Sequence, residues 1–120
     1  MSINYSNYVS IFKALSDETR LKIIEMLSCG EMCACDILEL VSVSQSTLSY
    51  HMKTLTDSGL VVGRKEGSWV KYSVNKEISN EAVEFLGRLT ENKSDCQCKT
   101  VKNISNQVGI LHSEKQTCKQ

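Results

Sequence analysis

The sequence has no proline, one tryptophan and two phenylalanines in 120 residues. Without proline there can be no proline-rich linker, and no internal repeat is visible, so one small domain and a tail are expected. No run of 18 apolar residues occurs and no charged-then-apolar leader opens the chain. That predicts neither a membrane span nor a signal peptide, and hence a cytoplasmic protein. The six cysteines are then expected as thiols rather than disulfides. There is also no Cys-x-x-Cys, no glycine-rich phosphate loop and no cysteine followed after five residues by arginine. These absences argue against a small thiol reductase and against an enzyme in general. Net charge is zero, which alone does not point to nucleic acid.

The charge is unevenly placed. Residues 1–43 carry three Lys/Arg and six Asp/Glu, residues 44–76 carry five and two, and residues 77–120 carry six of each. The positive excess coincides with a helix of particular character. After the turn Ser42-Val43-Ser44, the pattern predicts a helix from Gln45 to about Ser58 with Leu48, Met52 and Leu55 facing inward. Ser46, Ser49, Tyr50 and Lys53 fall on the opposite side, a short, hydrogen-bonding face with one cation, as a major-groove reader requires. Ser44, Gln45 and Thr47 at its start and His51 at the flank of its inward face complete the candidate DNA-binding set.

Two strands are predicted next, Leu60 to Arg64 and Trp69 to Val74, joined through Lys65-Glu-Gly-Ser. Val70, Tyr72 and Val74 alternate with Lys71 and Ser73, and Arg64, Lys65 and Lys71 would line the exposed rim. A basic hairpin directly after a helix-turn-helix is a wing able to grip phosphate. The predicted fold is therefore mainly α with a β-hairpin wing, a winged helix-turn-helix of about five helices and two strands.

The flanking helices supply the frame. Residues 5–15 align Tyr5, Tyr8, Phe12 and Leu15, and a second helix capped by Ser16-Asp17-Glu18 runs to about Ser28 with Leu21, Ile24 and Leu27 buried. A third helix ends near Val41, with Asp36 and Glu39 spaced as a capping box. The last spans roughly residues 77–91, with Ile78, Ala82, Phe85, Leu86 and Leu89 in one stripe. Apolar faces left over on the first and last helices predict a homodimer. Residues 1–91 would form the DNA-binding and dimerisation domain, and residues 92–120 a flexible tail containing Cys96, Cys98 and Cys118.

Cys33 and Cys35 stand one residue apart just ahead of the reader helix, a pairing suited to a soft metal or metalloid ion. On a regular helix residues two apart point about 200° apart, so a single ion taking both is expected to distort the backbone there. A helix N-terminus is further expected to lower a thiol's pKa.

Four segments carry a family resemblance: Leu15-Ser-Asp-Glu-Thr-Arg-Leu, Ser28-Cys-Gly-Glu-Met-Cys-Ala-Cys-Asp-Ile-Leu, Ser44-Gln-Ser-Thr-Leu-Ser-Tyr-His-Met-Lys and Gly63-Arg-Lys-Glu-Gly. In that order they resemble the ArsR/SmtB family of winged-helix repressors, and its arsenic-responsive branch most of all. The family's Glu-Leu-Cys-Val-Cys-Asp box stands here as Glu31-Met-Cys-Ala-Cys-Asp36. The resemblance implies a homodimer on double-stranded operator DNA, needing no cofactor to bind it and released by arsenite or antimonite.

Trivalent arsenic or antimony in this family takes three thiolates. Two would be Cys33 and Cys35, and the third is open among Cys29, Cys96 and Cys98, with a tail cysteine preferred. Position 38 is Leu where an enterobacterial pattern has a further cysteine. No cysteine precedes Cys29, and residues 77–91 contain no histidine, which disfavours the cadmium and zinc branches. The rival reading keeps the DNA reader and makes the thiols an oxidation switch or a site for another soft metal.

Overall fold

A computed structural model describes residues 4–92, so the expected tail cysteines Cys96, Cys98 and Cys118 lie outside the described residues. The chain forms α1 (Tyr5–Ala14), α2 (Glu18–Leu27), β1 (Met32–Cys33), α3 (Ala34–Leu40), α4 (Gln45–Asp57), β2 (Val61–Glu66), β3 (Trp69–Val74) and α5 (Lys76–Thr90). The compact unit runs to Leu86, part-way along α5. The helices and hairpin follow the predicted pattern, and β1 is an addition. Two residues are too few to show alternation. β1 exists because Met32 and Cys33 pair antiparallel with Tyr72 and Lys71 on the outer edge of β3, giving a sheet of order β1-β3-β2.

The hairpin is tighter than predicted. β2 continues through Lys65 to Glu66, which pairs with Trp69, so only Gly67 and Ser68 turn the chain. Gly67 sits at φ 64°, a left-handed conformation that favours glycine in such a turn. Gly63 has a packing role: a Cβ there would lie 3.2 Å from the Tyr72 ring.

Ile11 and Ala14 of α1, Ile23 and Leu27 of α2, Ile37 of α3, and Leu48, Met52 and Leu55 of α4 meet in one core with Leu60 and Val61. On α2 the predicted inward face is corrected. Ile23 is fully buried and Leu21 is exposed, because the inward row is Arg20, Ile23 and Leu27. The α5 stripe divides likewise: Ala82 and Phe85 are buried, whereas Leu86 is half exposed. Phe85 receives α1, with the Tyr8 ring stacked on it at 3.9 Å and Tyr5 and Phe12 beside it.

Arg20 locks three helices together. Its Nε donates to Ala14 O at 2.7 Å and Nη2 to Lys13 O at 3.5 Å, at the negative end of α1. Nη1 donates to His51 Nδ1 on α4 at 2.9 Å. Asp17 caps α2 by accepting the Arg20 backbone N–H, which holds its carboxyl below the usual range. Arg20→Ala leaves a buried carbonyl and a buried ring nitrogen unpaired and should destabilise the fold by about 2–4 kcal/mol. Urea unfolding checks this, and a loss of under about 1 kcal/mol would mean the network adds little.

Candidate DNA-reading surface and thiol site

The reader helix starts where predicted. Ser44 is the N-cap of α4: its Oγ accepts from the Thr47 N–H at 3.2 Å and donates to Thr47 Oγ1 at 3.0 Å. Leu48, Met52 and Leu55 hold the helix to the core, so Ser44, Gln45, Ser46, Thr47, Ser49, Tyr50 and Lys53 are all exposed along its outer side. Lys53 is engaged there by Asp57 one turn on, at 2.9 Å.

His51 departs from the set expected to meet DNA. It is buried, because its ring completes the Arg20 network. Arg20 can only donate, so Nδ1 accepts and the ring proton sits on Nε2, which faces Asp17 Oδ2 at 3.9 Å. His51 thus sets the seating of α4 on α2, and Tyr50 beside it stands with its ring centroid 6.0 Å from the Arg20 guanidinium carbon.

The hairpin's three cations are unequal. Among the described residues Lys65 makes no ion pair, and it is exposed. Arg64 Nη2 and Nε donate to the two Glu31 oxygens at 2.7 and 3.1 Å, and Nη1 donates to Glu66 at 3.4 Å. That double grip pushes the Arg64 guanidinium further up and holds Glu31 below the usual carboxylate range. Lys71 Nζ lies 3.7 Å from Glu66. Sequence reasoning missed Glu31. It precedes its partner by 33 residues and no spacing rule joins them, although it opens the Glu31–Asp36 box.

The thiols sit at a boundary between two backbone forms. Cys33 is the N-cap of α3, extended at φ −85° and ψ 162°, and Cys35 lies in the first helical turn. The expected Asp36–Glu39 capping box does not form, since β3 holds Cys33 extended and α3 begins at Ala34. The change of backbone also removes the expected divergence of the side chains: Cys33 Sγ, Cys35 Sγ and an Asp36 carboxylate oxygen lie within 4.8 Å of one another. Both thiols are thereby close enough to be offered to one soft ion.

The expected lowering of thiol pKa is reversed at Cys35. Hydrogen bonding to Cys33 and loss of some hydration push this exposed thiol up, and charge on Cys33 and Asp36 adds to this. Cys29, in the turn after α2, is exposed and is not one of the three. Cys35 also opens onto a cavity of about 380 Å³ between α3, α4 and the hairpin, walled by Leu38, Met52, Trp69 and Tyr72.

Residues 17–62 match the arsR family of bacterial regulatory proteins. The arsenical resistance operon repressor of Staphylococcus aureus is 44% identical over 84% of this chain and 97% of its own length. The chain belongs to the ArsR family. Among other ArsR-family likenesses, an ArsR-like transcriptional regulator from a Rhodococcus species superposes with a TM-score of 0.69 at 28% identity, covering 86% of this chain and 94% of that one. A cadmium resistance regulatory protein homologue of S. aureus is 42% identical over 68% of this chain and 68% of its own length. This ArsR-family chain is thus a winged-helix regulator, with five helices and a three-stranded sheet among the described residues. No helix among the described residues is long and apolar enough to cross a membrane.

Proposed function

We propose that this chain is a DNA-binding transcriptional repressor of an arsenic-resistance operon. It acts in the cytoplasm as a homodimer and leaves its operator when trivalent arsenic or antimony is bound by Cys33 and Cys35. The observation that carries the reading is the pair of thiols gathered within 4.8 Å, one helix ahead of the reader. The arsenical repressor relative supports the inducer class. Arsenite reaches the site as neutral arsenous acid. Each thiol forms an As–S bond while its proton leaves with one hydroxyl as water, so a raised Cys35 pKa is no obstacle to the chemistry. The third hydroxyl is exchanged for a third thiol, from Cys29 or from Cys96 or Cys98. Nothing in this reading requires a catalytic step. Arsenite or antimonite should release operator DNA in a gel-shift assay. Release by peroxide, with arsenite inert, would replace the metalloid switch by an oxidation switch.

On DNA, Ser44, Gln45, Ser46, Thr47, Ser49, Tyr50 and Lys53 enter the major groove, and Arg64, Lys65 and Lys71 hold phosphate. Lys65→Ala should weaken all duplexes alike and shallow the salt slope by about 0.9 per subunit. Ser49→Ala should instead alter sequence preference. If Lys65→Ala altered preference and left the slope unchanged, the two surfaces would have to exchange roles.

A further inference from the structure

The Arg64 guanidinium already has a partner in the DNA-free protein. Glu31 takes two of its N–H groups through two oxygens, the paired geometry that a phosphate would also use. Glu31 is not part of the hairpin. It stands two residues before Cys33, at the entry to β1. The register puts Cys33 opposite Lys71 and Lys71 opposite Arg64, so the first thiol and the wing cation lie in one row on one face of the sheet. Two strand spacings separate them, about 10 Å along a hydrogen-bonded ladder. Thiol segment and wing are therefore joined twice, by the β1–β3 pairing and by the Glu31–Arg64 pair.

We propose that Glu31 competes with DNA phosphate for the Arg64 guanidinium, so that the thiol segment gates the wing's hold on DNA. In the free protein Arg64 is satisfied by Glu31, and docking exchanges that carboxylate for a phosphate oxygen. An inducer lowers DNA affinity only by favouring the DNA-free arrangement, and the closed Glu31–Arg64 pair belongs to that arrangement. Ligation of Cys33 and Cys35 fixes the segment that carries Glu31 and opposes the exchange. The inducer half of the proposal rests on the metalloid reading of these thiols, and the DNA half does not.

The test uses the full chain as the parent protein, Glu31→Gln, Arg64→Ala and the double variant. Each is titrated with operator and unrelated duplex between about 0.05 and 0.2 M salt, with and without arsenite. Glu31→Gln should bind DNA more tightly by about two- to fivefold per subunit, the equivalent of one exposed ion pair, and with a steeper salt slope. In the Arg64→Ala background the same change should be silent. A gain that persists there reflects only the lost negative charge and overturns the competition. Weaker binding by Glu31→Gln would mean that Glu31 braces the wing, and overturns it too. Arsenite should weaken DNA binding by a severalfold smaller factor in Glu31→Gln than in the parent protein. An unchanged factor, in a protein whose release still requires Cys33 and Cys35, overturns the gate. Should arsenite act without those cysteines, the metalloid reading fails, and the arsenite-free titrations still decide the competition.

Discussion

Cys33→Ser should keep the protein on its operator at arsenite concentrations that clear the parent protein from it. The loss should approach the whole inducer effect, a factor of about 5–150 in operator affinity for linkage of this kind. Folding is expected to survive. Cys33 is an N-cap whose side chain makes no capping hydrogen bond, and serine is among the residues that serve best there. Operator affinity without arsenite should be unchanged, because Cys33 belongs to β1 and not to α4 or the hairpin, and serine suits its extended N-cap position. Cys35→Ser should be equally deaf. The same assay assigns the third ligand. Truncation after Glu91 that abolishes the response while sparing DNA binding would give it to Cys96 or Cys98. A silent truncation with a deaf Cys29→Ser would give it to the turn after α2. Normal release of both Cys33→Ser and Cys35→Ser would remove the metalloid site from these residues altogether.

Where sequence reasoning succeeded, the information was local. The face of α4 is a period-3.6 pattern within thirteen residues, and its start is a serine that caps its own helix. The hairpin is a period-2 pattern closed by Gly67, and register follows once the turn is known. Where it fell short, a distant partner decided the outcome. The geometry of Cys33 and Cys35 depends on where α3 starts. That start is set by pairing with Lys71 and Tyr72, some forty residues on, through a strand too short to read. His51 sat at the edge of an inward face, and Arg20, thirty-one residues earlier, drew it inside. Leu21 looked inward only because a buried arginine is a poor guess. The expected capping box put the start of α3 at Asp36, whereas pairing with β3 starts it at Ala34 and brings Cys35 into its first turn. Cys33 is thus the N-cap, and its nearness to Cys35 is what raises the Cys35 thiol against the effect of the helix start.

Two structural connections lead from the thiol segment to the DNA-binding elements. α3 connects directly to the reader helix through the short turn at Ser42, Val43 and Ser44. β1 connects to the wing through β3 and through Glu31. Loss of either route alone should therefore reduce the response without abolishing it, unlike loss of a thiol.

The second large effect concerns assembly. α1 and α5 leave Tyr5, Val9 and Val83 exposed, with Val83 at 69% and Val9 at 48%. Tyr5 lies edge-on to Phe85 beside the Tyr8–Phe85 stack that joins the two helices, so a second copy could cover an already ordered surface. Val83→Glu should yield a monomer by sedimentation and reduce operator affinity by about 10²–10⁴, the gain that joining two half-site readers normally provides. Two readers must sit about 34–36 Å apart to meet successive major grooves, and a lone subunit keeps only half of those contacts. The intact core of Val83→Glu should show as an unchanged urea midpoint at high dilution, because Val83 is not in it. Leu21→Glu is the matched control, being a half-exposed apolar residue on α2. If Leu21→Glu dissociates the protein and Val83→Glu remains a dimer, the interface lies on α2. If neither variant changes the mass and the parent protein is already a monomer that binds a single half-site tightly, the paired-reader picture of operator recognition is wrong.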